Sequence, residues 1–268
     1  MGGPVYLQNE LSMGGEPASK LTDATFHKIM FRQDPDGKWD FRIYRPPSEY
    51  SHISATAMAA MSLKAYSTPG RAAEVKERLA RAGAWLRMQH GVGAEEQAML
   101  LMGLAATDSP IDGAARALLA SQRRDGSWGQ LADMPSDAYA TGLALYALHT
   151  AADLKVGSAP YRAGVSWLLK TQMPDGSWYV QTHTHPLQPY FESGFPYAHH
   201  QWIAAAGTSW ASMALLFANE SPAEVVAAQR RPTSPQQQRR QRLRELLLRR
   251  RRLEVRNLVV AWDWKVRC

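Results

Sequence analysis

The stretch "QTHTHPLQPYFESGFPYAHHQW", Gln181 to Trp202, gathers His183, His185, His199 and His200 with Glu192 and several aromatic rings. Imidazole titrates closest to neutral pH, so His199 or His200 beside Glu192 is equipped for acid–base chemistry. His183 and His185 are also spaced as a metal-binding pair can be. The same residues have plainer readings. "THTHP" alternates as an exposed strand does, and a Pro-rich aromatic loop can serve as a plug. Long loops in compact domains are often functional, which keeps this one as a candidate ligand wall. A further carboxylate, Asp137 in "PSDAYAT", opens an apolar stretch. At a helix start it is an ordinary cap, with a charge that suits the helix dipole.

Composition narrows the chemistry. The single cysteine, Cys268, excludes an internal disulfide and any Cys-rich zinc site. No metal and no cofactor is expected. The opening "MGGPVYLQNELSMGGEPASK" shows no basic region followed by an apolar one, so no secretory signal is expected. No apolar run reaches the roughly 18 residues of a spanning helix. The expected location is cytoplasmic, with peripheral contact at a membrane as the variant. The net charge of +7 hides a division. Residues 229–268 carry thirteen Arg or Lys against three Asp or Glu, while the other 228 carry eighteen against twenty-one. The body is mildly acidic, and the basic balance belongs to the tail.

The body reads as helices of two kinds. "SHISATAMAAMSLKAY" (residues 51–66), "AEEQAMLLMGLAAT" (94–107), "SDAYATGLALYALHTAAD" (136–153) and "HQWIAAAGTSWASMALLFA" (200–218) are apolar or small on all sides. Such helices are buried. Between them lie amphipathic segments. In residues 71–89, Val75, Leu79, Ala82 and Leu86 recur at helical spacing among charges. "IDGAARALLASQ" and "PYRAGVSWLLKTQ" behave alike, the second with Pro160 at a helix start.

Three of the junctions repeat one pattern, Gln-x-x-Asp-Gly-x-Trp: "QDPDGKW" from Gln33, "QRRDGSW" from Gln122 and "QMPDGSW" from Gln172. Asp-Gly turns the chain, because glycine accepts a positive φ without steric cost. The tryptophan offers a broad face and one N–H donor, and the glutamine can both donate and accept. A residue needed three times is a structural clasp before it is a catalyst. The unit is about 45–50 residues, a period typical of stacked helix pairs. A copy expected midway, at "WLRMQHGVGAEEQ", keeps its Trp and Gln but lacks Asp-Gly-x-Trp.

These segments resemble the QW repeats of the prenyltransferase and squalene oxidase repeat group, which includes squalene–hopene cyclases. "ALLASQRRDGSWG" and "WLLKTQMPDGSWY" match closely, "FRQDPDGKWD" matches in its second half, and "SDAYATGLALYAL" resembles an inner helix of that group. The resemblance spans roughly residues 25–218. It implies an all-α fold, an α/α toroid with amphipathic helices outside and apolar helices around a central cavity. Four or five helix pairs are visible, which implies a partial or open ring. The acid motif Asp-x-Asp-Asp of hopene-type cyclases is absent, and Asp137 stands where the resemblance would place the acid. His199 and His200 are its candidate helpers. His52, Tyr139, Glu192, Trp202 and Trp210 are the candidates for lining the substrate cavity, where aromatic faces can stabilise a cation or serve as plain core.

The expected organisation is an N-terminal segment (1–30), a cyclase-like domain (31–220) and a basic tail (221–268), flexible or partly helical. The expected partner is an isoprenoid or another apolar small molecule, with membrane-surface contact through the tail as a further reading; nucleic acid is disfavoured, since the tail has no base-reading motif. The function expected is a squalene-cyclase-like isomerase that binds or converts an isoprenoid. The alternative is a non-catalytic scaffold or lipid-binding module that has lost the acid.

Overall fold

Segments without a polar face become the inner helices. The computed structural model describes residues 2–41, 44–186 and 189–219, and among these it is all-helical. The helices are α1 (Gly2–Met13), α2 (Lys20–Met30), α3 (His52–Ala65), α4 (Ala72–Leu86), α5 (Ala94–Ala106), α6 (Asp112–Ala120), α7 (Ala138–Ala152), α8 (Ala159–Thr171) and α9 (Gln201–Asn219). The odd-numbered helices pack side by side in chain order, and each even-numbered helix lies against the odd ones before and after it. Alanines and leucines of α3, α5 and α7, such as Ala55, Ala59, Leu101, Leu143 and Ala144, are buried. The even helices bury one stripe only, for example Val75, Ala82 and Leu86 of α4.

The helix α1 is not announced by the sequence, because Gly2, Gly3 and Pro4 open it and its apolar residues show no clear period. Polar side chains hold it instead. Gln8 donates to the Thr22 carbonyl at 3.1 Å, and Asn9 donates to the Met58 carbonyl at 2.9 Å. The N-terminal residues thus form a helix pair of their own against α3. Helices α1 to α9 belong to one unit, Met1–Asn219. No helix among the described residues is long and apolar enough to cross a membrane. The readings of the tail fall outside the described residues.

The three Gln-x-x-Asp-Gly-x-Trp stretches share one set of hydrogen bonds. Trp39, Trp128 and Trp178 are at most 1% exposed. Each indole N–H donates to a carbonyl near the end of its own outer helix, at Ile29 (2.7 Å), Leu118 (2.9 Å) and Leu168 (2.9 Å). Each backbone N–H donates to a threonine of the following inner helix, Thr56, Thr141 or Thr208. The tryptophan therefore ties an outer helix to the next inner one. The glutamine ties neighbouring outer helices: Gln33 donates to the Arg78 carbonyl and Gln122 to that of Pro160, both at 2.9 Å. The turn glycines have positive φ, 100° at Gly37 and 91° at Gly126. A Cβ at Gly126 would lie 2.5 Å from the Ala163 carbonyl carbon, so only glycine lets the turn approach α8 this closely.

Candidate functional site

Hydrogen bonds join the starts of three inner helices, α3 to α5 through Ser54 and Glu95 and α5 to the approach to α7 through Ala94 and Gln130. Asp137 is the N-cap of α7. Its Oδ1 accepts the Ala140 N–H at 2.8 Å, and its Oδ2 accepts the Gln130 amide at 2.7 Å. Burial raises its carboxyl above the usual range, opposed by those hydrogen bonds. Gln130 is itself buried, and its carbonyl accepts the Ala94 N–H at 3.1 Å, joining the starts of α5 and α7. Asp137 has the full geometry of a cap. Asp137→Ala is expected to lower stability by about 1 kcal/mol, whereas Asp137→Asn, which caps equally well, retains most of it; urea denaturation midpoints measure both.

A second carboxyl lies deeper. Glu95, in the first turn of α5, is 2% exposed. Its Oε2 accepts the Ser54 hydroxyl of α3 at 2.8 Å, while its Oε1 is buried without a hydrogen bond. Loss of solvent pushes this carboxyl well above the usual glutamate range. The first turn of a helix favours the ionised form, by about 0.3–1 kcal/mol. The burial penalty on an unpaired carboxylate is larger and decides the direction. Tyr6, Tyr50 and Tyr139 are raised by their own burial and next by the adjacent Glu95. Each of the three phenols thus lies within electrostatic reach of Glu95. Tyr139 is buried, and Tyr6 donates to the Ser48 carbonyl at 2.6 Å.

The other candidates lie apart from one another. His52 starts α3 and faces Asp40, Nδ1 to Oδ1 3.0 Å, with both side chains half exposed. His183 lies close enough to Asp137 to oppose the rise of its carboxyl. Glu192 is exposed; its carboxylate accepts the Tyr190 hydroxyl and the Gly194 N–H, which hold it below the usual range. His199 lies 4.6 Å from the same Tyr190 ring with the planes tilted by 54°, and His200 accepts the Thr182 N–H at Nδ1, 3.1 Å. Neither histidine is paired with Glu192 among the described residues. Trp202 lies under the Arg45 guanidinium, 5.6 Å from the ring centroid. Trp210 sits further along α9, edge-on to Tyr146 at 5.1 Å. Residues 181–186 form coil where "THTHP" suggested a strand, and Thr184 donates to the Pro46 carbonyl at 2.6 Å. Among the described residues no three His, Cys, Asp or Glu side chains are gathered as metal ligands.

Sequence reasoning passed over Glu95, which reads as one of two ordinary first-turn acids in "AEEQ". A signal was present. The tryptophan falls six residues after the glutamine in the three complete motifs, and six residues after Gln89 stands Glu95.

No family model matches the chain. Over 106 residues, 40% of this chain, it is 34% identical to lanosterol synthase of Saccharomyces cerevisiae; the match spans only 13% of that enzyme. A crystal structure of a protein from Actinoplanes superposes with a TM-score of 0.51 at 18% identity, over 81% of this chain and 74% of that one. The first match points to a squalene-cyclase-like relationship, and the second is a likeness of fold.

Proposed function

We propose that this chain is a cyclase-like domain that binds an isoprenoid among its inner helices, with Glu95 as the acid facing it. The inner helices form the wall of a partial α/α toroid. The Thr184–Pro46 bond and the Arg45–Trp202 contact support that arrangement, since they bring the approaches to α3 and α9 together across α5 and α7. The observation that carries the reading is the Glu95 carboxyl. It is buried, held above the usual glutamate range by that burial, and has one oxygen without a hydrogen-bond partner, with three tyrosines within its electrostatic reach. An acid kept protonated by burial suits alkene protonation. The Glu95 proton goes to one alkene carbon, the π pair forms the C–H bond, and the carboxylate and a carbocation remain. The tyrosine rings stabilise that cation, and its later loss of a proton closes the balance.

A second reading has its own support. Both Asp137 oxygens are engaged, one by the Ala140 N–H it caps and one by the Gln130 amide, and a cavity of about 500 Å³ lies away from the mouth, beside α4 and α6. These favour a non-catalytic domain that binds an apolar ligand without converting it.

The deciding experiment incubates the full chain with squalene and with shorter prenyl diphosphates, followed by product analysis. Turnover that falls at least about a hundredfold in Glu95→Gln and survives in Asp137→Asn supports the first reading. Binding without product, unchanged in both variants, supports the second. Absence of both binding and turnover overturns the proposal.

A further inference from the structure

The helix α1 is docked differently from the other odd-numbered helices. Among its described side chains only Gln8 and Asn9 are buried, and both are polar. Leu7 and Met13 are exposed, and Tyr6 and Leu11 are half-buried. The helices α5 and α7 bury ten residues each, mostly apolar. Hydrogen bonds take the place of that burial in α1. Asn9 donates to the Met58 carbonyl at 2.9 Å and to the Ser62 hydroxyl at 3.0 Å, both on α3. Gln8 donates to the Thr22 carbonyl, and Tyr6 to that of Ser48. The Gln8 Oε1 is buried without a hydrogen bond, a loss that water makes good when the helix undocks. On opening, bonds between protein groups are exchanged for bonds to water, whereas exposed apolar area has no such replacement. A helix held chiefly by polar contacts therefore belongs to the low-stability end of the fold.

The chain beyond α1 lets it move as a unit. Gly14 and Gly15 follow the helix, and Gly15 takes a φ of 70° with no atom within 4 Å of where a Cβ would lie. At the next residue the chain is fixed again, since the Tyr66 hydroxyl donates to the Glu16 carbonyl at 3.2 Å. What α1 covers lies beside Glu95. Ser54, Met58 and Ser62 stand on successive turns of α3; Glu95 bonds the first, and Asn9 bonds the other two. Tyr6 is within electrostatic reach of Glu95.

We propose that α1 is a latch over Glu95, hinged at Gly14 and Gly15, which opens as a unit and admits water or a ligand to the carboxyl. The latch concerns the carboxyl of the proposed function but does not require catalysis, and its test uses no substrate. Native-state hydrogen exchange of the full chain reads the opening. After correction for intrinsic rates, the amides of residues 7–13 exchange at least about a hundredfold faster than those of α5 and α7, through one shared opening. Asn9→Ala removes two of the bonds without disfavouring the helix, and speeds this exchange at least about tenfold while α5 and α7 are unchanged. Uncovering of Glu95 is read through pH. In the open state the carboxyl ionises near its unfolded value of about 4.3, whereas the closed state keeps the proton. Above that pH the opening constant rises by up to about tenfold per unit, and it levels off once the closed form ionises too. Glu95→Gln abolishes the rise. The groups facing Glu95 are Glu96 on α5, Tyr6 on α1, Tyr50 before α3 and Tyr139 on α7, with Glu49 and Arg45 facing Tyr6 in turn. These are the same in both chains, so the ratio of the two opening constants isolates Glu95. The proposal is overturned if residues 7–13 are as protected as α5, if Asn9→Ala leaves their exchange unchanged, or if the rise with pH persists in Glu95→Gln.

Discussion

Trp128→Ala is expected to destabilise the domain by about 3–5 kcal/mol, a large share of the roughly 5–15 kcal/mol that separates folded from unfolded chains. The side chain is 1% exposed. Its removal opens a cavity among α6, α7 and α8 and releases the Leu118 carbonyl from the indole N–H. Trp128→Phe separates the two losses. It keeps most of the buried ring and removes only the N–H, whose bond is worth about 1 kcal/mol. The Leu118 carbonyl stays satisfied by the Ser121 hydroxyl at 2.8 Å, which limits the cost further. Urea denaturation midpoints rank the three proteins. Equal midpoints for Trp128→Ala and the natural chain would show that the tryptophan is no clasp.

Glu95→Gln is expected to change how stability depends on pH. The Glu95 carboxyl is raised in the folded state, from an unfolded value near about 4.3. The folded chain therefore keeps a proton that the unfolded chain releases. That contribution is complete below the unfolded value and is lost as pH rises toward the folded one, by up to about 1.36 kcal/mol per pH unit. Glutamine has the same shape, can still bond Ser54, and does not ionise. The stability of Glu95→Gln relative to the natural chain therefore grows as pH rises above the unfolded value of about 4.3. The difference between the two proteins cancels the other titrating groups. A difference that stays flat across this range would mean that water reaches Glu95. That result would remove the neutral acid from the proposed chemistry.

How much could be read in advance depended on how local each interaction is. The inner helices were plain because Ala, Leu and Met surround them on every side, as in α5 and α7. The Asp-Gly turns and their tryptophans were plain because each indole meets a carbonyl ten residues back in its own helix end. The loop before α9 was harder. Its histidines were evident as residue types, but only their partners, Tyr190 for His199 and Thr182 for His200, give them places.

The sequence by itself determined an all-helical chain of alternating buried and amphipathic segments, turned at Asp-Gly and clasped by tryptophan. Helical period and turn chemistry act over a few residues and need no distant partner. Only the tertiary structure decided which acid is unusual. Glu95 and Asp137 both stand at the starts of inner helices, and the spacing of Glu95 from Gln89 marks its position without showing how deeply it is buried. Packing of α3 against α5 strips the water from Glu95 and leaves it one hydroxyl, whereas Asp137 is only partly buried and receives two donors. Desolvation depends on everything that surrounds a group in space, and most of those surroundings are remote in the chain.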